Sequence, residues 1–422
     1  MKKDNLIEWP LPSEAAAAVR SVLDEIVREG ARKMLQQAIE GEVAEYLALH
    51  QGQRDQSGRR LVVRHGHLPT RSLVTGVGPV EVTSPRVRHR EGQSRFTSAI
   101  LPPYLRRVPC VEALIPALYL KGISSGDFEE ALCAILGPGA VGLSATNIVR
   151  LKAVWEDEYQ EWRRRDLSGK RYVYIWVDGV YFNVRAQDER LCILVVMGAL
   201  EDGRKELIAV ADGYRESKLS WQELLGDLKA RGLNQAPRLA IGDGALGFWA
   251  ALEEEYGSVS HQRCWVHKTA NVLDKMPQSV QASAKSLLHE MYLAATLTDA
   301  LSSYEKFFRL YGAKYPKACA CLAKDKEVLF TFYEFPAEHW SHIRSTNPIE
   351  STFATVRHRT RRSKGSSNRT STLTMVFKLG LAAQKKWRRI NAPTILGKII
   401  SGVRFVDGVE ATGQELQQKM AA

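Results

Sequence analysis

The chain has 422 residues, 45% of them hydrophobic, and a formal net charge of +12, which is length and apolar content enough for two or three domains with cores of their own. Its longest apolar run, LCILVVMGAL, is far below the ~18 residues of a membrane span, and the start MKKDNLIEWPLP lacks the apolar stretch of a secretory leader. The six cysteines are scattered without a CxxC pair, so the chain reads as a soluble cytoplasmic protein with reduced thiols and no membrane partner.

The basic excess is clustered. Between residues 54 and 107 eleven arginines, Arg86 and Arg88 among them, face only Asp55, Glu81 and Glu91; between 341 and 389 twelve Lys or Arg face a single acid, Glu350. Two such patches favour a nucleic-acid partner over a merely solvated face.

Residues 1–50 are expected to form one long helix from Ser13 to 49, with an apolar stripe that includes Val22, Leu23, Ile26, Met34, Ile39 and Val43. It packs either on its own chain or on a second copy. Residues 51–110 form an Arg-rich DNA-binding segment in which RSLVTGVGPVEVTSPR suggests a small hairpin around Gly76, Gly78 and Pro79. Residues 111–170 read as helix, turn, helix, turn, helix: Ser124-x-x-Asp127 resembles a capping box, GPGAVG breaks the chain, and Ser144 opens a long helix. Asn147, Arg150 and Lys152 near that start would face DNA in a helix-turn-helix reader, although any small three-helix bundle has similar turns.

From 171 to 267 the pattern changes to YVYIWVDGVYFNVR, LCILVVMGAL and KELIAVADGY, an antiparallel meander, followed by helix, strand, helix and strand. The order βββαβαβ makes the chain mixed α/β and matches an RNase H-like core, preceded by mainly helical N-terminal regions. Residues 268–343 read as helical, 344–395 as two further helices around the loop SKGSSNRT, and 396–422 as a tail.

Three acids stand out against local explanations. Asp178-Gly179 within IWVDGVYF is a strong hairpin signal, yet it falls inside a run that reads as core strand. Asp243 in AIGDGA sits at the end of the fourth strand, where an RNase H-like sheet would make it a neighbour of Asp178. Glu350 follows Asn347-Pro348-Ile349, which spells N-cap, N1 and N2 of a helix and so offers a capping role without catalysis. Adjacent carboxylates repel unless positive charge, such as divalent metal ions, lies between them.

Taken together, WVDGVYF, IGDGALGFW, QRCWVHK and NPIESTFATVRHRTRR resemble the Mutator-type transposases of bacterial insertion sequences, a branch of the DDE transposase superfamily. The resemblance implies an RNase H-like catalytic domain with an all-helical insertion between the second Asp and the Glu. It implies that Asp178, Asp243 and Glu350 are catalytic and hold two Mg²⁺ ions, with Mn²⁺ as a substitute, and that Cys264, Trp265 and His267 carry a family signature. It further implies binding of double-stranded DNA at terminal inverted repeats, cleavage and strand transfer by a copy-out-paste-in route, a homodimer or larger assembly, and a bacterial cytoplasm in association with the nucleoid. Arg357, two helical turns after Glu350, would hold the scissile phosphate, while Arg359, Arg361, Arg362 and Lys364 would follow the flanking backbone.

Cys264 and His267 lack a second ligand pair for structural zinc, and on a strand over 259–266 their side chains would face apart. Trp265 is either a core residue or a platform for an unpaired base. Two other classes stay open: an RNase H-like structure-selective nuclease without strand transfer, and a DNA-binding regulator whose sheet is only a scaffold.

Overall fold

The computed structural model describes residues 14–90, 96–121, 123, 128–136, 145–182, 191–213, 216–244, 246–350, 353–354, 356 and 368–411. The chain divides into two compact units, Met1–Leu151 and Lys152–Ala422.

The first unit holds α1 (Glu14–Leu49), β1 (Val62–His67), β2 (Arg71–Thr75), β3 (Gly78–Val82), β4 (Pro85–His89), α2 (Pro109–Lys121) and α3 (Phe128–Leu136), and α4 (Ala145–Arg163) opens at its end. The later part of α1 is anchored by Ile39, which packs with Leu73, Val80, Val82 and Leu101, whereas Val22, Leu23, Ile26 and Val27 earlier on the same helix are exposed. β2 and β3 form the expected hairpin, paired from Arg71↔Val82 to Thr75↔Gly78. Its turn needs Gly78, whose φ of 100° is strained for any residue with a Cβ.

The second antiparallel pair, β1 with β4, was not expected, although helices hold most of the described N-terminal part. VVRHGH and PRVRH carry too few apolar residues to give a period-2 signal. Arg86 and Arg88 both lie on β4 and are exposed. Arg150 on α4 is exposed and Lys152 half-buried, while Ser13, Ser124, Asp127, the GPGAVG turn and the side chain of Asn147 lie outside the described residues.

The second unit is built on a five-stranded sheet in the order β7-β6-β5-β8-β9, with β5 (Tyr172–Phe182), β6 (Leu191–Leu200), β7 (Lys205–Gly213), β8 (Leu239–Gly242) and β9 (Ser260–Arg263). The first three strands are antiparallel, and β8 and β9 continue the sheet in parallel. Parallel strands need a crossover, and α5 (Lys218–Ala230) and α6 (Leu246–Tyr256) supply the two connections.

Both faces of the central strands are covered, which is why β6 is apolar and buried along its whole length. On one face Trp221, Leu224, Leu225 and Leu228 of α5 and Phe248 and Leu252 of α6 pack against Ile175, Val177, Leu194 and Val196. On the other face, β5 meets the segment around His339 and His342, and the helix Arg369–Gln384 closes on β7 with Gly380 against Leu207. Between the sheet and Glu350 the chain is helical, as expected, through α7 (Trp265–Leu273), α8 (Gln278–Leu293), α9 (Leu297–Tyr311), α10 (Pro316–Ala323) and shorter turns to Ile343. No helix among the described residues is long and apolar enough to cross a membrane.

Candidate active site

Asp178 pairs with Val195 and Gly179 with Leu194, both inside the unbroken strand β5, so the Asp-Gly dipeptide makes no turn. Side chains alternate along the strand. Ile175 and Val177 enter the core under α5 and α6. Tyr174 and Trp176 point the other way: the Tyr174 hydroxyl lies 2.8 Å from His339 Nδ1, and Trp176 Nε1 donates to the His342 carbonyl at 3.0 Å. Asp178 shares the parity of these two residues and is 8% exposed.

The parallel neighbour β8 sets Ile241 opposite Trp176. Asp178 stands two residues beyond that pair on β5, and Asp243 two residues beyond it just past the end of β8 at Gly242. Gly244 follows Asp243 at φ 92°, and a Cβ there would lie 2.3 Å from Nη1 of Arg263. That arginine is 6% exposed and bonds Asp325 through Nε at 3.2 Å, so a buried cation braces the loop that carries Asp243.

Glu350 comes from a separate helix start, residues 347–350. Its N–H donates to the Thr346 carbonyl at 3.0 Å, which places Thr346, not Asn347, at the N-cap position. The Thr346 hydroxyl then donates to Glu350 Oε1 at 2.7 Å, and the Thr346 N–H donates to Cys264 Sγ at 3.2 Å. Cys264 in turn donates its own N–H to the carbonyl of Gly242 at 2.8 Å. Glu350 is thereby tied, through Thr346 and Cys264, to the residue that precedes Asp243.

The strand expected over 259–266 ends at Arg263, and Cys264 is the N-cap of α7. Residues three apart at a helix start lie on one side, which reverses the expectation that Cys264 and His267 face apart. His267 Nδ1 is 3.7 Å from Glu350 Oε1 and 3.4 Å from the Thr346 hydroxyl. Its hydrogen bond with Cys264, acting against burial and aided by the charges of Cys264, Glu350 and Asp178, raises it to about 9. Burial works against ionisation of the Cys264 thiol, but His267 and Thr346 hold it below its usual range.

Cys264, His267 and Glu350 each offer one ligand atom within 4.8 Å of the others, a set that Asp178 and Asp243 do not join. Asp178 communicates with that set through His267, whose charge it stabilises. Trp265 is fully buried with Nε1 donating to the Leu329 carbonyl at 2.7 Å, so it packs here as a core residue. Arg357, Arg359, Arg361, Arg362 and Lys364 lie outside the described residues.

Sequence reasoning missed Glu216. Burial, then the charges of Asp243 and Asp178, push its carboxyl up to about 7, with His267 opposing. In RESKLSW it reads as an acid just before a helix cap, and no pattern along the chain links it to the other three.

The family model described as Transposase, Mutator family, matches residues 8–390. The transposase for insertion sequence element IS6120 of Mycolicibacterium smegmatis is 51% identical over 295 residues, 70% of this chain and 91% of that protein. The transposase for insertion sequence element IST2 of Acidithiobacillus ferrooxidans is likewise 51% identical, over 67% of this chain and 96% of its own. The transposase for ISRM5 of Rhizobium meliloti is 27% identical over 89% of this chain and 93% of its own. Among solved structures, the Drosophila P element transposase strand transfer complex aligns over 66% of this chain and 85% of its own at 10% identity with a TM-score of 0.25, too distant to bear on the fold.

Proposed function

The chain belongs to the Mutator family of transposases, and on that premise we propose that its second unit is an RNase H-like catalytic domain in which Asp178, Asp243 and Glu350 hold divalent cations for DNA strand cleavage and strand transfer. The observation that carries this reading is the register of β5 with β8, which leaves Asp178 and Asp243 each two residues beyond the Trp176–Ile241 pair, with Glu350 tied to the end of β8 through Thr346 and Cys264. The strand order, with three antiparallel strands continued by two parallel ones, supports the fold assignment.

The donor set fits the ions. Carboxylate oxygens suit hard cations such as Mg²⁺ or Mn²⁺, and acids held side by side gain from positive charge among them. When bound, a pair of such ions activates the attacking hydroxyl and stabilises the leaving oxygen. The chain's own groups hold and orient: Asp178 from a rigid central strand, Asp243 from a loop braced by Arg263, and Glu350 from a helix start fixed by Thr346. His267, charged at neutral pH, faces Glu350 and offsets the local negative charge.

In cleavage, a water oxygen attacks phosphorus and the bond to the 3′ oxygen breaks, leaving a 3′-hydroxyl and a 5′-phosphate. In transfer, that 3′-hydroxyl attacks a second phosphodiester, so one bond forms for each that breaks and no covalent link to the protein is required. Arg86 and Arg88 on β4, Asn147, Arg150 and Lys152 on α4, and the run Arg357, Arg359, Arg361, Arg362 and Lys364 are assigned to DNA, where phosphate contacts fix register. Two inverted-repeat ends react together, so the working assembly is at least a dimer, and the route is copy-out-paste-in.

Purified chain, Mg²⁺ and a linear duplex ending in the element's own inverted repeat should yield nicked and joined products, and Asp178→Asn should yield neither. Cleavage without joining would identify a structure-selective nuclease, and binding without any cleavage a regulator. Either result sinks the proposal.

A further inference from the structure

Gly179 lies beside Asp178 in the central strand, and a Cβ built on it would stand 1.9 Å from Oε1 of Glu216 and 2.3 Å from its Cδ. The carboxyl group of Glu216 occupies the volume that a side chain at 179 would take. A second glycine completes the cradle. A Cβ at Gly247, in the first turn of α6, would meet the Glu216 carbonyl oxygen at 2.8 Å and the Lys218 nitrogen at 2.6 Å. Two glycines on two elements therefore admit one glutamate, one receiving its backbone and the other its carboxyl.

The ordinary role for an acid at this position is to face the N-terminus of α5. Ser217 already performs it, accepting from the Ser220 N–H, and the Glu216 carboxyl turns instead onto β5. There it comes within the field of both Asp178 and Asp243. It approaches from the α5 and α6 face, whereas Asp178 has the parity of the opposite face, so the two acids reach adjacent positions of β5 from its two sides.

We propose that Glu216 is a fourth carboxylate of the site, joining Asp178 and Asp243 in holding a divalent cation directly or through a bound water. The proposal rests on the reading of Asp178, Asp243 and Glu350 as the cation site. It assigns Gly179 a purpose as well: to leave room for that carboxyl.

Mn²⁺ binding to the full chain without DNA, followed by electron paramagnetic resonance, tests it. Glu216→Gln removes the charge and keeps the shape. Gly179→Ala keeps every carboxylate in the chain but drives that of Glu216 from its place. Each is expected to weaken Mn²⁺ binding about tenfold or more, the usual cost of losing a supporting ligand, and Asp178→Asn at least as much. Circular dichroism reports folding; should Gly179→Ala unfold, Glu216→Gln decides alone, since it adds no atom to the core. Wild-type affinity in Glu216→Gln, together with loss in Asp178→Asn, overturns the role of Glu216 while leaving the three-acid site intact. Unchanged affinity in both Asp178→Asn and Asp243→Asn overturns the site itself, and this inference with it.

Discussion

Replacing Thr346 with valine takes one hydroxyl from a fully buried position and keeps the branched shape. That hydroxyl donates to Glu350 Oε1 at 2.7 Å and also lies 3.2 Å from Cys264 Sγ and 3.4 Å from His267 Nδ1. It has one proton, and the short contact with a carboxylate takes it. Hydrogen bonds to charged groups contribute ~1.5–3 kcal/mol, so a loss of about 2 kcal/mol is expected. The damage should stay local, because the Thr346 carbonyl keeps its bonds from Ile349 and Glu350 and its N–H keeps Cys264. Amide hydrogen exchange reads such local opening. At about 1.4 kcal/mol per tenfold, protection at Ile349 and Glu350 should fall ~30-fold. Thr346→Ser retains the donor and should stay within about threefold of the wild type, with strand cleavage following the same order. Exchange in the valine variant within about twofold of the wild type would show that Thr346 does not hold Glu350, and the tie from Glu350 to the end of β8 would be wrong.

Burial holds the Lys205 ammonium down at about 8, against the ring of Trp176 and beside His342. The folded chain binds that proton less tightly than the unfolded chain, so stability should rise between pH 8 and 10.5 and carry a penalty below pH 8. Lys205→Met is expected to gain about 2 kcal/mol at pH 7, seen as a higher melting temperature, and to lose the alkaline rise; a variant that melts lower at pH 7 contradicts this. Trp265→Ala should cost ~3–5 kcal/mol and show first as poor folding, whereas a stable variant with weakened binding to unpaired DNA would restore the base-stacking role. Asp178→Asn should abolish strand cleavage while circular dichroism shows a folded chain; cleavage at the wild-type rate would remove Asp178 from the chemistry.

The sheet was legible because each strand carries its environment in its composition. β5 and β6 are covered on both faces and read as near-continuous apolar runs, and the connections are long enough for two crossover helices. β1 and β4 were illegible for the opposite reason: they are short, and their many arginines and histidines leave too few apolar residues to mark a strand. Boundaries failed where no breaker marks them. QRCWVH has neither Gly nor Pro, so the change from strand to helix at Cys264 leaves no trace, yet it turns two groups thought to face apart into neighbours of Glu350. The cap before Glu350 was displaced by one residue, and with it the partner: Thr346 gives its proton to the carboxylate it was not expected to touch.

Asp178-Gly179 shows most clearly what a one-dimensional pattern leaves out. Along the chain the pair permits two explanations, a turn or an active-site acid, and neither accounts for the glycine once the strand is seen to run through it. Glycine inside a strand costs roughly 0.5–1 kcal/mol relative to alanine. A half-buried carboxyl raised by burial and then by its acidic neighbours costs stability as well, and the chain accepts both at one spot, with Glu216 lying on Gly179. Neither feature is compensated by packing, since an alanine at 179 with an apolar residue at 216 would bury more surface and repel nothing. Their joint presence follows if the fold without cations is not the state the site is shaped for, and if positive charge from a ligand is what the cluster of acids has been assembled to receive.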